Sequence, residues 1–179
     1  MSKRKDSTLA ALLEERSRRG RPPRPIQRQN VYVSLTSPQR EQMRQVSERL
    51  PDGLSRADIP DMAVKLLAAR LEVLRRAVAG RGREIPEGIT DLDSLYLLWD
   101  LPLPDWEAAV RWTSVRLSPQ RVIELGRTHG VLNALFGANR SQVFGLGLAL
   151  LSGFLGADLA GKRYGSLQEV EEWITRIYL

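Results

Sequence analysis

"NVYVSLTSPQREQM" (Asn30–Met43) and "WTSVRLSPQRVIEL" (Trp112–Leu125) share the tetrapeptide SPQR, each time at the end of a short alternating stretch. In the first, Val31, Val33 and Leu35 alternate with Tyr32, Ser34 and Thr36; in the second, Val115 and Leu117 alternate with Ser114 and Arg116. Period two predicts a half-buried strand. Ser37–Pro38 and Ser118–Pro119 then suit a helix start, because serine can accept from a free N–H and proline in the first turn forfeits no bond. Met43, Val46 and Leu50, and then Val122, Leu125 and Leu132, continue at helical spacing.

The agreement runs past SPQR. "PDG" closes the first helix, and "LSRADIPDMAVKLLAARLEVLRRAV" begins a second, capped by Ser55 or Asp58, with Ile59, Met62, Val64, Leu66, Leu67, Leu71 and Leu74 on a broad apolar face. In the other half "GANR" leads into "SQVFGLGLALLSGFLG", a helix apolar all round. A helix of that kind must be covered on every side. Leu35 aligns with Leu117, Met43 with Leu125, Leu50 with Leu132 and Arg56 with Arg140, the offset drifting only from 82 to 84. A strand–helix–helix unit of about fifty residues that recurs in this way points to duplication.

Around the two units the chain divides as follows. Residues 1–28 form a basic, largely flexible arm, with a short helix capped by Asp6 or Ser7 and ended by Gly20, then a mobile stretch from Arg18 to Arg28. Residues 29–79 are the first unit, 80–111 a linker, 112–157 the second unit and 158–179 a C-terminal amphipathic helix with Ser166 and Glu169 as capping box. Within the linker, "ITDLDSLYLLWDLPLPDWEAAVRW" predicts two helical pieces separated by Pro102 and Pro104.

The net charge of +6 is concentrated in the arm, where nine Lys or Arg face only Asp6, Glu14 and Glu15. Such an arm on a balanced body suits a polyanion. There is no cysteine, and His129 is the only histidine, which excludes disulfides and a His/Cys zinc site. No motif sets a nucleophile beside His129. The spacing of Asp91, Asp93 and Asp100 matches no calcium loop, and no phosphate-binding or dinucleotide fingerprint occurs. No catalytic activity, metal or cofactor is therefore expected. Leu9–Leu13 is too short for a signal peptide and Val143–Ala157 too short to span a bilayer. The expectation is a soluble, cytoplasmic protein without membrane insertion.

Each unit resembles the ribbon-helix-helix (Arc/MetJ-like) DNA-binding family, on "VYVSLTSPQREQMRQVSERL" with "LSRADIPDMAVKLL" and on "TSVRLSPQRVIELGRTHGVL" with "NRSQVFGLGLALL". The resemblance implies a mainly α fold with a short two-stranded antiparallel β-ribbon. With both repeats on one chain the ribbon could form within one molecule or between two; the all-apolar second helix of the second unit favours an intramolecular pseudo-dimer that would read a non-palindromic site in double-stranded DNA. It implies that the ribbon enters the major groove, wide enough for two strands. By position the base readers would be Tyr32, Ser34, Thr36, Ser114 and Arg116, with Arg116 suited to guanine O6 and N7. The second helix's N-terminus would hold phosphate, through Ser55, Arg56 and Ala57 in one unit and Asn139, Arg140 and Ser141 in the other. The "RGRP" stretch is similar to an AT-hook core and would send Arg19, Arg21 and Arg24 to the minor groove or backbone.

The function implied is transcriptional repression, or plasmid or mobile-element maintenance. Self-association on DNA and a Walker-type ATPase engaging Lys3, Arg4 and Lys5 are further partners the resemblance implies. The alternative is a helical interaction adaptor whose arm contacts RNA, membrane or such an ATPase. A defined motif from random-sequence DNA separates the two.

Overall fold

The computed structural model describes residues 27–157 and 165–179. The predicted arm helix, the arm arginines Arg19, Arg21 and Arg24, and most of the loop before the last helix lie outside the described residues. Those residues form two strands and six α-helices. Strand β1 (Gln29–Thr36) leads into α1 (Ser37–Glu48); a 3-10 turn (Arg56–Asp58) enters α2 (Ile59–Ala77); α3 (Leu92–Leu98) lies in the linker. Strand β2 (Val110–Leu117) leads into α4 (Pro119–Phe136), and α5 (Arg140–Ala157) and α6 (Leu167–Tyr178) complete the chain. The architecture is mainly helical with one two-stranded antiparallel sheet, β1 against β2.

Local chemistry explains the element ends. Thr36, not Ser37, caps α1: its hydroxyl accepts from Gln39 N–H at 3.2 Å and Gln39 Oε1 accepts from Thr36 N–H at 3.0 Å. Both adjacent hydroxyls could cap, and only Thr36 has a glutamine three residues on, which closes the reciprocal box. Gly137 ends α4 in the left-handed region at φ 68°, a conformation that costs glycine nothing. At α6 the box is only half formed. Ser166 Oγ accepts from Glu169 N–H, but the Glu169 carboxylate turns to Gly165 N–H. The second helical piece predicted in the linker is absent. Asp105 accepts from Glu107 N–H in a local turn, and the chain from Val110 onward pairs with β1 instead.

The apolar strand faces, Val31, Val33 and Leu35 with Val115 and Leu117, are buried, as are Met62, Leu66 and Leu67 of α2 and Leu146, Leu148 and Leu151 of α5. They form one continuous core with Val46, Leu125 and Leu132 of the first helices. Each fully buried leucine contributes roughly 1.5–3 kcal/mol relative to exposure. The predicted all-apolar helix, α5, is buried along Val143–Leu151. It is covered by α1, α2, α4 and β1.

The two halves interlock. Helix α1 packs on α5 more extensively than on α2, and α4 packs on α2; each strand likewise leans most on the second helix of the other half. At the centre α2 and α5 approach so closely that a Cβ on Gly147 would lie 2.8 Å from the Ala63 carbonyl oxygen. Helix α6 docks on α2, and Arg70 sits over the Tyr178 ring at 4.8 Å and the Trp99 ring at 5.7 Å. Arg121 of α4 bonds Glu124 on its own helix and Glu171 of α6. No helix among the described residues is long and apolar enough to cross a membrane.

Candidate nucleic-acid interface

A strand pair sends alternate side chains to opposite faces, so burying one face fixes what the other presents. The outward pairs, in order along the ribbon, are Asn30 with Arg116, Tyr32 with Ser114, Ser34 with Trp112, and Thr36 with Val110. Tyr32 is 65% exposed, Trp112 74% and Val110 54%. Asn30, Ser114 and Arg116 are exposed as well.

Of the five predicted readers, Tyr32, Ser114 and Arg116 have outward side chains with no hydrogen bond or ion pair among the described residues. The other two are engaged. Ser34 N–H donates to Ser141 Oγ at 2.8 Å, the two hydroxyls lie 3.0 Å apart, and the Thr36 hydroxyl caps α1. Trp112, to which the alternation continues back from Arg116 and Ser114, also faces outward, as does Asn30 opposite Arg116; neither is among the residues the sequence singles out.

The N-termini of the two central helices flank the ribbon, one at each edge. Beside β2, Ser114 and Arg116 share a groove with Arg40 of α1 and with Ser55, Arg56 and Ala57 at the entry to α2. Beside β1, Ser34 and Thr36 share one with Asn139, Ser141 and Gln142 at the start of α5. Helix N-termini suit anions, because free N–H groups and the dipole face outward. The two edges differ in charge, however. Arg40, Arg56 and Arg116 line the first, whereas Asp105, with Pro104 and Trp106, lines the second. Arg56, Arg111, Arg116 and Arg140 are exposed and form no salt bridge among the described residues.

Part of the capping at these ends is internal. Asp58 Oδ2 accepts from both Ser55 N–H (2.8 Å) and Ser55 Oγ–H (2.7 Å). Asn139 and Gln142 bond each other reciprocally across the first turn of α5.

Arg28, assigned to the mobile stretch, is instead anchored with its side chain 6% exposed. It donates to the Ala57 carbonyl at 2.6 Å and to Asp58 at 2.5 Å, and lies 3.2 Å from the buried Asp61. Asp61 also accepts from Ser118 N–H at 2.8 Å, joining the start of α2 to the end of β2. Burial alone would raise the Asp58 carboxyl, but the Arg28 and Ser55 hydrogen bonds outweigh it and hold it below its ordinary value. For Asp61 burial prevails over the Ser118 N–H and the Arg28 and Arg121 charges, so its pKa is raised.

Two contacts fall on residues that the sequence alignment makes equivalent. Tyr32 and Ser114 are directly opposed in the ribbon and differ by 82, the offset of Leu35 and Leu117. Ala63 and Gly147 touch where α2 crosses α5 and differ by 84, the offset of Arg56 and Arg140.

Asp91 and Asp93 of the linker have structural roles. Asp91 caps α3 through Ser94 N–H at 2.7 Å, and Asp93 accepts from the Trp106 indole at 2.7 Å. No cluster among the described residues could hold a metal ion. No protein-family model matches the chain, and neither the curated proteins nor the solved structures contain a match.

Proposed function

We propose that this protein binds double-stranded DNA with sequence preference, laying its β-ribbon in the major groove, and acts as a transcriptional repressor or a plasmid or mobile-element maintenance factor. The observation that carries this is the exposed ribbon standing on a helical core with a helix N-terminus at each edge. A ribbon of that kind fits the major groove, and N-termini so disposed face the phosphates on either side. Arg116 supplies a bidentate donor for guanine and Tyr32 an aromatic surface beside it.

The two halves act as a duplicated, intramolecular pseudo-dimer. In a two-fold arrangement only residues on the axis meet their own equivalents, and the Tyr32–Ser114 and Ala63–Gly147 contacts support an axis running through both. Phosphate anchoring draws on Arg40, Ser55 and Arg56 at one edge and on Asn139, Arg140 and Ser141 at the other, where Asp105 in the same groove offsets part of the positive charge. The basic arm adds sequence-independent affinity, with Arg19, Arg21 and Arg24 at the backbone or minor groove.

Selection from a random-sequence duplex library, followed by footprinting of the enriched site, tests this directly. Enrichment of a defined motif with protected major-groove purines supports the proposal, and retention of random duplexes without a motif defeats it. A helical interaction adaptor is the second reading, favoured by Leu97, Leu98 and Leu103, each more than half exposed on the linker. It predicts no enriched motif.

A further inference from the structure

We infer that the ribbon is chemically directional: its Asn30–Arg116 end takes purines, with guanine at Arg116, and its Trp112–Val110 end takes thymine methyl groups, with Trp112 setting that half of the site. This rests on the DNA-binding proposal and adds which base chemistry each half reads.

The pairing order carries it. The 82-residue offset sends Arg116 onto Ser34 and Trp112 onto Asn30, so the axis that relates the backbones does not relate the side chains. At one end a guanidinium and a carboxamide lie opposite each other, both exposed and both able to engage a purine edge with two bonds. At the other end Trp112 and Val110 are the two most outward side chains, and the hydroxyls paired with them are engaged elsewhere. The indole N–H is a single donor, and apart from it this end offers a base edge mainly apolar surface, the Ser34 and Thr36 hydroxyls being half-buried and bonded within the fold. In the major groove the one apolar group on any base pair is the thymine methyl. The edges agree with this polarity. The arginine-lined groove runs beside Ser114 and Arg116, and the Asp105-bearing groove runs beside Ser34 and Val110. The purine half is therefore flanked by Arg40 and Arg56, whereas beside the thymine half Asp105 offsets part of the charge of Arg111 and Arg140.

Base analogues in the selected duplex test the assignment on the full chain, with binding read by fluorescence anisotropy. Replacing thymine by deoxyuridine removes only the methyl group, and replacing guanine by 7-deazaguanine removes only N7. Deoxyuridine in one half is expected to weaken binding about fourfold, the effect of one buried methyl-sized group. That penalty vanishes in Trp112→Ala, whose folding is not at stake because the indole is largely exposed. 7-Deazaguanine in the other half is expected to weaken binding about tenfold, a penalty that vanishes in Arg116→Ala. A palindromic selected motif, equal analogue effects in both halves, or methyl dependence that persists in Trp112→Ala would each overturn the directionality while leaving DNA binding intact. Absence of any enriched motif would overturn the DNA-binding proposal itself, and this inference with it.

Discussion

Replacing Gly147 by alanine isolates the close contact at the middle of the molecule. The added Cβ would lie 2.8 Å from the Ala63 carbonyl oxygen and 3.3 Å from its carbon, where ordinary contact begins at 3.4 Å. The obstructing atoms are backbone, so no rotamer change relieves them, and α2 and α5 must separate by about half an ångström along a buried seam. Two effects oppose each other. Alanine improves helix propensity by about 1 kcal/mol, whereas overpacking a filled core costs about 1–3 kcal/mol. The net expectation is a loss of about 1 kcal/mol. Gly126→Ala in α4 is the matched control, because nothing lies within 4 Å of its added Cβ. It should gain roughly 0.4–1 kcal/mol. Urea denaturation followed by circular dichroism measures both, provided the slopes agree. If the two variants prove equally stable, the helices are not in contact at Ala63 and the axis drawn through that contact fails.

Other perturbations have equally definite outcomes. Arg116→Ala should cost roughly 1–3 kcal/mol on the selected duplex and relax one base position; an equal loss on random duplexes would reduce Arg116 to a general charge. Removing residues 1–26, which leaves the anchoring Arg28 in place, should flatten the dependence of log affinity on log salt while preserving base preference. An unchanged salt slope would exclude the arm from the phosphate backbone. Arg121→Ala should destabilise the fold by about 3 kcal/mol, at the lower end for a broken buried pair because Glu124 and Glu171 keep some exposure. A melting temperature that does not move would refute that network. Asp61, whose folded pKa is raised, holds extra proton in the native state just above the ordinary carboxylate range, so acidification through that window favours folding. Asp58, with a lowered pKa, does the reverse, and its contribution fades as pH falls through its folded value. Asp61→Asn should therefore make the acid-side fall in stability start at higher pH, as read by urea midpoints between pH 7 and pH 4; an unaltered profile would mean Asp61 does not titrate differently on folding.

The ribbon was legible because Val31, Val33 and Leu35 alternate cleanly and SPQR aligned that strand with its counterpart. Burying one face then left only one set of side chains to point outward. Val110 was hidden for a local reason: "DWEAAV" carries helix-forming alanines, and only pairing with Thr36, far away in sequence, draws its end into a strand. Arg28 closes a run of arginines and reads as solvent-exposed, since the carboxylates that bury it lie thirty and thirty-three residues away. The cap at Thr36 was readable in principle from Gln39, but the adjacent Ser37–Pro38 offered an equally good start. The Thr36 hydroxyl, expected at a base, thus also caps its own helix.

Because β1 and β2 belong to one chain, the ribbon forms at any dilution, with no bimolecular step preceding it. The same covalent continuity removes a restriction on change. In a two-subunit ribbon every substitution appears twice and must suit both halves of its target. Here a new side chain at position 112 leaves the aligned position 30 untouched. If the ribbon reads bases as proposed, each half could therefore adapt separately, and a target with unlike halves would become accessible one residue at a time.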